Sequence, residues 1–154
     1  MIRRAVKEDI RRLDELLFQV QQIHAEGRPD IFKPGKKKYT DAELGEILAD
    51  DSRPVFVYER DGEILGYAFC VYQETKENEQ LCARKTLYLD DLCVDADARG
   101  QHVGTELYRH VVKTAGETGC DSVTLNVWAI NAEAAAFYRS MGMKPLKTTM
   151  ETIL

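Results

Sequence analysis

Apolar residues recur along this chain at two periods, and the switches between them outline its elements. Ile2 to Val6 suits a short first strand. Ile10, Leu13, Leu17 and Val20 then fall at helical spacing through about His24, one apolar stripe on an otherwise charged surface, which predicts a first helix. Glu26 to Thr40 holds Gly27, Pro29, Pro34 and Gly35 beside Lys36, Lys37 and Lys38, a composition that defeats regular structure and predicts an exposed loop. Asp41 can cap a second short helix through about Asp50. From Pro54 the period changes to that of strands. Val55 to Tyr58, the Asp61-Gly62 turn and Ile64 to Tyr72 read as a hairpin. A polar link from Glu74 to Ala83 leads to a strand from Arg84 to Val94. Val103, Leu107, Val111 and Ala115 lie in register on a helix that Gly119 ends. Val123, Leu125 and Val127 alternate as another strand, Asn131 to Met141 reads as a helix closed by Gly142, and Met143 to Leu154 supplies a last extended segment.

Strands and helices in mixed order, with a clear hairpin, predict an α/β sheet layered with helices. At 154 residues and 44% hydrophobic, the chain falls in the range of a single domain that buries a core without staples. Lys and Arg total 21 against 26 Asp and Glu, a formal charge of −5 that repels nucleic acid and favours cationic partners such as amines. Cys70, Cys82, Cys93 and Cys120 are scattered without C-x-x-C or zinc spacing, so no metal site is expected. Positions 1 to 25 lack the apolar core of a signal peptide, and no run of about 18 apolar residues could span a membrane. No membrane association and a reducing cytoplasmic home are the expectation.

The clearest chemistry lies between Leu87 and Leu107. The strand Leu87-Tyr88-Leu89-Asp90-Asp91-Leu92-Cys93-Val94 runs through Asp95-Ala96-Asp97-Ala98 into Arg99-Gly100-Gln101-His102-Val103-Gly104-Thr105, a basic glycine-containing turn that opens a helix. Backbone N–H groups at a helix start have no partner within the helix, and the dipole adds positive charge there, so a phosphate is stabilised twice. The turn lacks the full G-x-G-x-x-G of a Rossmann unit and the G-K-S/T of a Walker loop.

These residues resemble the GNAT superfamily of N-acetyltransferases, whose phosphate-binding signature Q/R-x-x-G-x-G/A is matched by Arg99, Gly100, Gln101, His102, Val103 and Gly104. Asn131 and the Phe137-Tyr138 pair follow in the family's order, so the resemblance covers nearly the whole chain. Leu89-Asp90-Asp91-Leu92-Cys93-Val94 is also similar to the acidic stretch of diamine (spermidine/spermine) acetyltransferases. The resemblance implies a mixed, mostly antiparallel sheet of six to seven strands flanked by about four helices and splayed between strands four and five. It also implies acetyl-CoA as co-substrate and a homodimer. One departure stands out: His102 replaces the usual Gly. Its Cβ disfavours close approach and positive φ, or its ring N–H serves as a substitute phosphate ligand.

By the same resemblance, the backbone of Leu92, Cys93 and Val94 pairs with the pantetheine arm and polarises the thioester carbonyl. Arg99 to Thr105 hold the pyrophosphate, Asn131 contacts the coenzyme, and the Tyr138 phenol protonates the departing thiolate. Packing alone would also account for Phe137 and Tyr138. Strand alternation sends Asp90 and Asp91 to opposite faces. Asp90 aligns with the diamine acetyltransferase base, and Asp91 either binds a cationic amine or anchors a turn. His24, Glu26, Asp30 and Phe32 stand where acceptor-binding structure is expected. Lys36, Lys37 and Lys38 either receive the coenzyme's 3'-phosphate or form a solvated run, and Trp128 reads as packing. The acceptor expected is a small primary amine, polyamine or amino-sugar. A protein N-terminus or lysine, and a non-catalytic acyl-CoA sensor, are the alternatives.

Overall fold

In the computed structural model, which describes residues 1–154, a five-stranded sheet runs in chain order: β1 (Ile2–Arg4), β2 (Val55–Arg60), β3 (Glu63–Thr75), β4 (Arg84–Val94) and β5 (Ser122–Leu125). The first four strands pair antiparallel, whereas β4 and β5 pair parallel. The parallel step requires a crossover, supplied by helix α3 (Val103–Glu117).

The helices divide between the two faces of the sheet. On one face α1 (Ile10–Gly27) and α2 (Asp41–Leu48) bury Leu13, Leu16, Leu17, Leu44 and Ile47 with Val55, Val57, Tyr67 and Phe69. On the other, α3 buries Val103, Leu107 and Val111 with Phe56, Ala68, Leu87 and Leu89, and α4 (Ala132–Ser140) lays Phe137 and Tyr138 along the margin of that core. Each fully buried leucine contributes about 1.5–3 kcal/mol.

Three boundaries differ from the sequence expectation. Thr40, not Asp41, caps α2: its hydroxyl accepts the Glu43 N–H at 3.2 Å while the Glu43 carboxylate accepts the Thr40 N–H at 2.7 Å. This reciprocal pair satisfies two otherwise orphaned donors, and Asp41 enters the first turn, where its charge meets the helix dipole. Strand β5 stops at Leu125, which leaves Val127 and Trp128 in a loop. Met143 to Leu154 forms no strand, so the sheet has five strands rather than six to seven. Met143 packs against the α3 core, but the later apolar side chains of that segment stay open: Leu146, Met150 and Ile153 are 75%, 85% and 77% exposed.

The alternation expected across Asp90 and Asp91 also fails. Phe69 faces Asp91 and Cys70 faces Leu89, so Asp90 is an extra residue in β4 with no partner on β3. Such a bulge reverses which face the following side chains take. Leu87 and Leu89 accordingly belong to the α3 core, but Cys93 belongs to the α1 core. Both aspartates turn toward the α1 and α2 face, where Tyr39 and Tyr67 meet them.

Gly66 of β3 lies opposite Val94, and a Cβ on it would come within 2.7 Å of the Cys93 carbonyl oxygen. Gly66→Ala is expected to cost about 1–3 kcal/mol of stability. Urea unfolding checks this as a lowered midpoint with unchanged slope.

Candidate active site

Pairing between β4 and β5 runs only from Thr86 opposite Ser122 to Leu89 opposite Leu125. Strand β4 continues to Val94 with β3 as its sole neighbour, so from Asp90 onward its other edge is open. Gly104 closes one end of this gap. A Cβ there would meet Val94 Cγ2 at 3.4 Å and Phe137 Cζ at 3.5 Å, so the end of β4, the start of α3 and helix α4 converge on it.

The turn before α3 is an anion cradle in its own right. None of the backbone N–H groups from Gly100 to Thr105 has an acceptor in the chain, and the first helical bond is Glu106 N–H to His102 O at 3.0 Å. Gly100 and His102 both take the left-handed region, at φ +76° and +63°. For His102 this backbone costs about 1–2 kcal/mol, and its exposed ring makes no hydrogen bond that offsets the cost. Gln101 is tied down, accepting from Arg60 Nη1 at 2.7 Å and donating to Asp97 O at 3.3 Å. Arg99 is exposed. Upstream, the Asp95 carboxylate accepts the Asp97 N–H at 2.9 Å and pairs with Arg12 of α1, whose Nε donates to Ile64 O at 3.0 Å.

The two aspartates on the bulge have different surroundings. Asp90 accepts from the Tyr39 hydroxyl at 2.5 Å, and its other oxygen pairs with Lys38 Nζ at 3.0 Å. Asp91 accepts from the fully buried Tyr67 hydroxyl at 2.9 Å. Although Asp91 retains some exposure as a residue, its carboxyl group is hemmed in, and desolvation pushes its pKa up to about 6. The charge of Lys38 and the Tyr67 hydrogen bond pull the other way, and neighbouring Asp90 adds to the rise. The buried Cys93 thiol points to α1, donating to Leu16 O at 3.6 Å, and burial with the Asp91 charge pushes it up to about 12.

Asn131 caps α4, its Oδ1 accepting the Ala134 N–H at 3.1 Å, which leaves its side-chain N–H donors free. Tyr138 is half-buried against Phe137 and Tyr108, with ring centroids at 5.2 and 6.3 Å. Burial, then the charge of Asp91, holds its phenol above the ordinary tyrosine value.

Of the four residues expected on the acceptor side, the fold brings two together. His24 and Phe32 stack at 4.8 Å, and Trp128 joins Phe32 edge-on at 5.0 Å. Burial and the Lys38 charge hold His24 below its ordinary pKa. Glu26 is exposed and accepts from Gln22 at 3.1 Å, while Asp30 is forked by Arg28 at 2.9 and 2.8 Å. The lysine run also lands elsewhere than a solvated or phosphate-binding loop would: Lys37 bridges Asp14 and Asp41, and Lys38 reaches Asp90. Tyr39 and Tyr67 went unread in the sequence, and Lys38 was read only as part of the lysine run. The signal for all three was the pair of adjacent carboxylates in an apolar strand, which need partners if buried.

A family model for the acetyltransferase (GNAT) family matches residues 17–143, and the chain belongs to that family. Among its relatives is an uncharacterized N-acetyltransferase of Methanocaldococcus jannaschii, 27% identical over 93% of this chain and 60% of that one. A thialysine N-epsilon-acetyltransferase of Sus scrofa is 31% identical over 40% of this chain and 36% of its own. The chain thus spans well under two thirds of these curated relatives. The crystal structure of a mutant Bacillus halodurans protein, 29% identical, superposes with a TM-score of 0.97 over 100% of this chain and 99% of that one.

A native carboxyl group with a raised pKa binds a proton that the unfolded chain has already released. Its effect is therefore to lower stability as pH rises from about 4 to about 6, by about 3 kcal/mol for Asp91. Asp91→Asn is expected to flatten that limb and to unfold at higher urea than the wild type at pH 7.5. Urea titrations at pH 4.5 and 7.5 check both.

Proposed function

We propose that this chain is an acetyl-CoA-dependent N-acetyltransferase that moves an acetyl group to a primary amine of a small molecule, such as a polyamine or amino-sugar, by direct transfer in a ternary complex. The observation that carries it is the run of acceptor-free N–H groups from Gly100 to Thr105 beside the open edge of β4. These donors suit the coenzyme's pyrophosphate, with Arg99 adding charge from the rim. Leu92, Cys93 and Val94 offer backbone groups to the pantetheine arm and to the thioester oxygen.

Asp91, with a pKa of about 6, is ionised at neutral pH yet basic enough to receive the ammonium proton of the acceptor. Asp90, already bonded through both oxygens, acts better as a cation anchor than as a base. The elevated Tyr138 phenol stays protonated and can give its proton to the departing thiolate. A covalent route through Cys93 is disfavoured because a thiol at about 12 holds almost no thiolate. His24, Phe32 and Trp128 form an aromatic wall for the acceptor, and the net charge of −5 with Asp90 and Asp91 favours a cation. The thialysine N-epsilon-acetyltransferase relative supports a small amine in that role.

The test is a panel of polyamines, aminoglycosides and short peptides incubated with acetyl-CoA while free thiol is followed. Turnover of a small amine is expected, and Tyr138→Phe should lower kcat about 100-fold while coenzyme affinity by calorimetry persists. Coenzyme binding without turnover on any amine would point to an acyl-CoA sensor instead.

We further infer a homodimer. No residue from Ser122 to Leu154 is buried, β5 is a short edge strand, and the apolar residues Leu146, Met150 and Ile153 of the final segment lie open. Light scattering is expected to report twice the chain mass for the wild type, and Leu146→Asp with Met150→Asp to shift it to one chain mass.

A further inference from the structure

The ammonium group held on the bulge belongs to the chain itself. Lys38 comes from the loop between α1 and α2, crosses to β4 and places Nζ 3.0 Å from Asp90 Oδ1 and 3.4 Å from the Asp90 carbonyl oxygen. The ring of Tyr39 lies beneath it at 5.6 Å. Its charge is felt at Asp91 as well. Nζ therefore stands on Asp90, at the point where β4 loses its β5 neighbour, and within electrostatic range of Asp91. This is the position that the acceptor amine needs if the reading above holds. The side chain is 42% exposed, so it has room to turn. Neighbouring lysines differ: Lys37 is pinned between Asp14 and Asp41, away from the bulge, and Lys36 makes no ion pair.

We propose that Lys38 is an intramolecular acetyl acceptor, a modification site that the enzyme acylates on itself before or in competition with its soluble amine. The inference rests on the acetyl-CoA reading. The Lys38 ammonium gives a proton through water to the Asp91 carboxylate, which passes it to solvent. The freed Nζ lone pair forms the C–N bond to the thioester carbonyl carbon, the C–S bond breaks, the thiolate takes its proton from Tyr138, and the second proton lost from Nζ restores the Tyr138 phenol. The products are Nζ-acetyl-lysine, coenzyme A thiol and one released proton. Acetylation removes the charge that faces Asp90, so the carboxylate becomes open to a cationic acceptor.

The full chain is incubated with acetyl-CoA and no added amine, and acetylation is followed by peptide mass spectrometry. Lys38 is expected to react at least about tenfold faster than Lys36 or Lys113, as positioning beside the thioester confers. The rate per molecule should not depend on protein concentration, and Tyr138→Phe should slow it while Lys38→Arg abolishes the modified peptide. Equal labelling of Lys36, Lys113 and Lys38, or a rate that rises with protein concentration, overturns the proposal. Acetylation of a panel amine with Lys38 unmodified also overturns it and leaves the acetyltransferase reading intact. Absence of both reactions removes the two together.

Discussion

One unpaired residue in β4 governs the site. Because Asp90 has no partner on β3, the side chains beyond it change faces, and two consecutive carboxylates come to share one environment. The same residue marks where β4 parts from β5, since pairing between them ends at Leu89 and Leu125. A regular strand would have sent one aspartate into the α3 core, where an unpaired carboxylate costs several kcal/mol. The bulge avoids that burial at the same residue where β5 ends. The paired carboxylates and the open edge thus coincide.

The two sides of the gap are joined by polar ties as well as by packing. Arg12 of α1 holds Asp95, and Asp95 shapes the turn that leads to the acceptor-free N–H groups. Gly104 lets α3, α4 and the end of β4 approach one another. Helix α1 carries the aromatic His24 at its other end, so a single helix contacts both Asp95, ahead of the glycine turn, and the aromatic group of Phe32.

Much of the architecture was legible because its periods are unmixed. The stripe of α1, the register of Val103, Leu107 and Val111 and the Asp61-Gly62 turn each had one reading. The bulge was not, because Asp90 and Asp91 fit plain alternation and only the β3 partner reveals the extra residue. The Thr40 cap was obscured by Asp41, which has the same preference one position later. The final segment has strand-like composition but no surface within the chain to pair with, and propensity alone says nothing of partners. The signature turn and Asn131 could be located from their spacing, whereas Lys38, Tyr39 and Tyr67 reach the aspartates over 24 to 52 residues of sequence. Trp128 packs against Phe32, a partner more than ninety residues away that spacing could not name.

The chain contains one tryptophan, and the fold sets it against Phe32 at 5.0 Å and His24 at 6.4 Å. Indole emission responds to nearby imidazole protonation and to solvent, so this protein's tryptophan fluorescence arises from a single place, beside His24 and Phe32. Movement of the loop that carries Phe32 changes the environment of the only indole in the molecule. The chain therefore carries its own optical reporter beside His24 and Phe32.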